Sequence, residues 1–124
     1  MLNKDATDSA RRSLHSLLNV IIYPAPDLEG QWLAHCLETD IISQGNSVAD
    51  ALEMMAEAIE LTAAQNVKMG RPAIVYQNAP TEVSMMFENA EDITTRILRI
   101  PSEPFKNEIT ISPHVVRNLS VGAC

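Results

Sequence analysis

Between Leu17 and Tyr23 the chain reads Leu-Leu-Asn-Val-Ile-Ile-Tyr, apolar and largely β-branched at all but one position. Successive residues of a strand point to opposite faces of a sheet, so a run apolar at odd and even positions alike must be covered on both sides. A sheet with one wet face does not satisfy it. The remaining chain has to supply one layer above this strand and another below it.

The next forty residues supply most of a sheet and one of those layers. Pro24, Pro26, Asp27 and Gly30 mark a loop. Gln31 to Glu38 resumes an extended pattern, with Trp32, Ala34 and Cys36 on one face and Leu33, His35 and Leu37 on the other. Thr39-Asp40 permits a tight reversal into Ile41 to Gln44, and Gly45-Asn46 ends that strand. Short connections between three strands predict an antiparallel meander. Ser47 then caps a helix, with Asp50 three residues on completing a near capping box. Val48, Leu52, Met55, Ile59 and Ala63 share one face of it, and Asp50, Glu53, Glu57 and Glu60 the solvated one. Gly70 and Pro72 stop the helix, and Lys68 and Arg71 suit the negative end of its dipole.

Beyond the helix the signals shorten. Ala73 to Tyr76 reads equally as a short strand or an extended linker. Thr81 is placed to cap a second helix with Val83, Met86, Phe87 and Ala90 on its apolar side. Thr94 to Ile100 and Glu108 to Ile111 read as strands separated by a loop over Ser102 to Asn107, and Ser112-Pro113 as the start of a terminal helix. One long helix covers one face of the meander. The other face must meet the second helix, a second subunit or a partner.

The chain has 124 residues, room for one domain, and its 46% hydrophobic and 20% charged residues describe a globular chain. Aromatics are only 4%, so the core is aliphatic. Nine Lys and Arg against 16 Asp and Glu leave a net charge of -7, which disfavours nucleic acid. Cys36 and Cys124 form no CxxC pair, and the polar first residues contain no signal-peptide core, so the cytoplasm is the expected compartment.

Candidate chemistry is sparse. His35 beside Cys36 invites a Cys–His pairing, but neighbours in a strand diverge. His15, His35 and His114 lie in separate segments with no metal-ligand spacing. Glu53, Glu57 and Glu60 form a solvated acidic face that suits a basic partner. Trp32 either packs against the long helix or anchors an interface. No catalytic residue, cofactor-binding residue or metal ligand is assigned, and the expectation is a binding module, not an enzyme. Its interface candidates are Trp32, Leu33, His35, Leu37, Glu53, Glu57 and Glu60.

The stretch Tyr23-Pro24-Ala25-Pro26-Asp27-Leu28-Glu29-Gly30-Gln31-Trp32-Leu33-Ala34-His35-Cys36-Leu37-Glu38-Thr39-Asp40, followed by Ser43-Gln44-Gly45-Asn46-Ser47-Val48-Ala49-Asp50-Ala51-Leu52, resembles the HicB-like antitoxin family. Ala79-Pro80-Thr81-Glu82 to Phe87-Glu88-Asn89-Ala90 is similar to the second helix of its stand-alone members. The resemblance implies an α+β fold, a partial ferredoxin-like or double-stranded-RNA-binding-like sheet, with an extra C-terminal helix and strands. It implies a protein that masks a small basic, HicA-type mRNA-cleaving toxin by contact. The alternative is a stand-alone homo-oligomer that binds a small ligand or another regulator. In domain terms the expectation is a polar arm over 1–15, a HicB-like domain over 16–100 and a C-terminal extension over 101–124. That extension has room for the ribbon and first helix of a DNA-reading half but not the second helix. Its only basic residues are Lys106 and Arg117, so DNA binding is not expected.

Overall fold

A computed structural model describes residues 14–101 and 106–117. Its strands are β1 (Leu14–Pro24), β2 (Trp32–Cys36), β3 (Ile42–Gly45), β4 (Glu91–Asp92), β5 (Arg96–Pro101) and β6 (Lys106–Val115). The helices are α1 (Val48–Lys68) and the short α2 (Thr81–Met85), the latter continued by a 3-10 turn over Met86–Asn89. The fold is α+β: the six strands form one mixed sheet in the order β3-β2-β1-β6, with β5 and β4 both on the far side of β6.

β1 pairs antiparallel with β2 (Val20 opposite Cys36, Ile22 opposite Ala34), and β2 antiparallel with β3. Its other neighbour is β6, which runs parallel to it from Leu14 opposite Asn107 to Ile22 opposite Val115. The apolar run of β1 therefore sits inside the sheet. Leu18, Val20 and Ile22 face α1 and are fully buried with Ala34, Cys36, Met55, Ile59 and Ile111. Ile21 and Tyr23 face the other way, into a smaller cluster with Ala79, Val83 and Val116.

α1 begins and ends where its flanking residues dictate. Ser47 Oγ accepts from Asp50 N at 3.0 Å, and Asp50 returns a bond by accepting from Asn46 N at 2.8 Å. At the other end Gly70 adopts φ +79°, while Arg71 N donates to Asn66 O and Gly70 N to Val67 O. These two bonds make a Schellman ending. Small residues let the helix lie close to the sheet. A Cβ on Gly45 would stand 2.3 Å from Ala51 N, so only glycine admits the helix there.

Several expectations for the second half need correction. Thr81 is the first residue of α2, not its cap: Pro80 holds the cap position and offers no side-chain bond. That helix is one turn long, and Phe87, in the turn that follows it, is 39% exposed. Ser112-Pro113 starts no helix, because β6 continues to Val115. Pro113 is tolerated inside the sheet because of where β6 changes partner. β5 pairs with β6 up to Ile111, and β4 takes over at His114. The missing N–H of Pro113 falls in the gap between them, where its carbonyl still accepts from Ile93 N. Residues 106–115, placed by the sequence in a C-terminal extension and partly in a loop, thus form a strand inside the sheet. Residues 1–13, 102–105 and 118–124, and with them most of the expected arm, lie outside the described residues.

Gly45→Ala is expected to cost roughly 3 kcal/mol or more, because the clash is with backbone that cannot rotate away. Ser47→Ala should cost about 1 kcal/mol through the lost cap. Urea midpoints of the two variants against the parent would check both magnitudes and their order.

Candidate functional site

The face of the sheet opposite α1 carries the polar chemistry of the molecule. Strand pairing puts His114, Ile21, His35 and Ile42 in one row across β6, β1, β2 and β3. Residues 77–92 form a strap over this face. It is tied at its start by Gln77 N to Glu38 O and Ala79 N to Leu37 O, and at its end by the pairing of β4 with β6.

His114, buried, is the centre of a linked set. Its Nδ1 lies 2.7 Å from Asp92 Oδ1, and its Nε2 lies 3.1 Å from Asn19 Oδ1 and 3.3 Å from Ser112 Oγ. Phe87 stacks at a tilt on the ring, centroids 4.3 Å apart. Asn19 in turn donates from Nδ2 to Glu38 Oε2 at 2.9 Å, and its backbone N–H to Glu38 Oε1 at 2.8 Å. Glu38 thereby caps an N–H of β1 just where β2 turns away.

An Asp–His–Ser alignment of this kind resembles a hydrolytic triad, but the hydrogen bonds run the wrong way for one. Glu38 takes the NH₂ end of the Asn19 amide, which turns the carbonyl end toward His114. Nε2 therefore has to donate to Asn19 Oδ1 and cannot serve as the acceptor for a proton from Ser112. The arrangement ties strands together and leaves Ser112 unactivated.

His35 makes a second pair on the same face, its Nε2 lying 2.5 Å from Asp40 Oδ1. Asp40 closes the turn between β2 and β3 in a left-handed conformation, φ 59°. The other ring nitrogen of His35, Nδ1, is buried and has no hydrogen-bond partner among the described residues. Cys36 points to the opposite face, into the core under α1, so the sheet separates it from His35. His15 bonds Thr110 Oγ1 at 2.9 Å. Among the described residues no three His, Cys, Asp or Glu side chains are grouped to hold a metal ion.

The interface candidates divide by location. Trp32 packs against the α1-side core, while Leu33 and Leu37 pack into the cluster under the strap and His35 is buried. Of the candidates, only the acidic residues are exposed. Glu53 is gripped by both terminal nitrogens of Arg96, which holds its carboxyl below the usual range. Glu57 and Glu60 are exposed and form no ion pair among the described residues, and beside them Leu61 is 69% and Met54 38% exposed. No helix among the described residues is long and apolar enough to cross a membrane.

The linked residues Asn19, Glu38, Asp92 and His114 escape a sequence reading because they come from distant segments. One signal does exist, the single polar residue Asn19 inside the apolar run of β1. Compared with protein-family models, curated proteins and solved structures, the chain matches none.

Asn19→Ala should cost about 2–3 kcal/mol in urea unfolding, since it strands both Glu38 and His114 Nε2. Burial pushes the Cys36 thiol and the Tyr23 phenol above their ordinary values. The neutral forms are favoured in the folded state, so this stability is complete at neutral pH. It should fall as pH rises past roughly 8.5 for the thiol and 10 for the phenol. Urea midpoints from pH 7 to 11 would show the decline, and Cys36→Ala should remove its earlier part.

Proposed function

We propose that the protein is a binding module of the HicB-like antitoxin kind, which masks a small basic toxin of HicA type by direct contact. The observation that carries this reading is the outward side of α1. Glu57 and Glu60 form no ion pair among the described residues, while Leu61 and Met54 are exposed beside them, in a chain of net charge -7. Acidic groups flanking apolar contact area fit a basic partner: the charge steers the encounter and the apolar residues hold it. The family resemblance over Tyr23–Leu52 supports the reading through the architecture. Gly45, Ser47 and Asp50, all within that stretch, set α1 on the sheet and leave its acidic side outward.

Co-expression with a small basic protein encoded beside this chain should yield a stable complex on pull-down. In Glu57→Lys/Glu60→Lys the association rate should fall about tenfold or more at low salt, with less difference at high salt. No complex with the parent chain, or a complex indifferent to both substitutions, would count against it.

A homo-oligomer without a toxin is favoured by one separate feature. Leu17, Thr110 and Ile97 form a row across β1, β6 and β5 on the strap side of the sheet, with Leu17 53% and Ile97 48% exposed. Light scattering that gives a dimer broken by Leu17→Glu/Ile97→Glu would support that reading. A monomer at high concentration would remove it.

A further inference from the structure

We infer that the strap over residues 77–92 is a latch that lifts as a unit while the sheet and α1 stay folded, and that His114 is its catch. The two covers of the sheet are built very differently. α1 has 21 residues, a side-chain cap at its start, a Schellman ending and six buried side chains. α2 has five residues, no side-chain cap and one buried side chain, Val83. A single uncapped turn has little stability of its own and depends on what it packs against. Here it packs lightly, since Met85 is 67% exposed, and Phe87 of the 3-10 turn that follows is 39% exposed.

What holds the strap is concentrated at its ends. The far end is held by the short pairing of β4 with β6 and by His114, which engages both Asp92 and Phe87 of the strap while Asn19 and Ser112 orient the ring from the sheet. Both strap residues reach the ring from the surface: the Asp92 side chain is 83% exposed. The catch can therefore release without disturbing the core under α1. A second observation favours release. His35 Nδ1 is buried without a hydrogen-bond partner among the described residues on this same face, and water admitted by a lifted strap would satisfy it. Lifting uncovers Ile21, Tyr23 and Val116, buried in the closed molecule, and widens the exposure of the half-buried Leu33 and Leu37 beside them, making an apolar groove.

Thiol labelling tests this directly. In a Cys124→Ser background, Val116→Cys reports the groove and the native Cys36 reports the core on the opposite face. Rates of alkylation in native buffer are each normalised to the unfolded chain. Cys at 116 should label at least tenfold faster than Cys36. Phe87→Ala with Asp92→Asn should speed it by roughly another tenfold, the loss of one charge-assisted bond and one ring contact, and leave Cys36 unchanged. Should Val116→Cys fail to fold, Ala79→Cys, a milder change on the strap's inner side, takes its place. Equal normalised rates for the two thiols in both backgrounds would overturn the proposal, because the strap would then open only when the whole molecule unfolds.

Discussion

The fold rests on the double burial of β1. Leu18, Val20 and Ile22 on one side and Ile21 on the other are all inaccessible to solvent, so two separate layers are obligatory. Each fully buried aliphatic side chain is worth about 1.5–3 kcal/mol relative to exposure, which makes this strand the largest local stake in the sheet. Other elements are arranged to protect it: β2 and β6 on its edges, α1 over one face, the strap over the other. Asn19, the polar interruption, is affordable only because Glu38 and His114 meet both ends of its amide.

How legible this was depends on whether the information is local. The strand at β1, the turn at Thr39-Asp40, the cap at Ser47, the stop at Gly70 and the apolar face of α1 could all be read from the sequence. Each is decided by residues within one or two turns of itself. The parallel pairing of β6 with β1 could not. It joins residues far apart in the chain, and the dipeptide Ser112-Pro113 carries a stronger local signal for a helix start than for a strand. What overrides that signal is the gap between β5 and β4, visible only in three dimensions. The second cover was half legible: its apolar residues Val83, Met86 and Ala90 were placed correctly, but not its shortness or its cap.

The polar residues follow the same division. The acidic side of α1 was readable because a helix repeats, and Glu53, Glu57 and Glu60 had to share a face. That Glu53 would be taken by Arg96 from β5 was not readable, and it leaves Glu57 and Glu60 as the members of that trio with no ion pair among the described residues. Leu33, His35 and Leu37 were placed on the correct side of β2, yet the strap covers them. On that face two histidines, each paired with an aspartate from the periphery, flank Ile21 and tie loops to the sheet.

The parallel pair also has a meaning for how the chain reaches this state. β1 leaves the ribosome well before its neighbour β6, since the pairing joins Leu14 to Asn107. Until that late strand emerges, one edge of the most apolar strand has no neighbour, and its free N–H and C=O groups are open to pairing with another chain. Closing so long a loop is slow relative to forming α1 or the β2–β3 turn. Nascent chains that stall before residue 107 would therefore be held with their core strand exposed along one side, and this is the stage at which a chaperone would matter most to the protein.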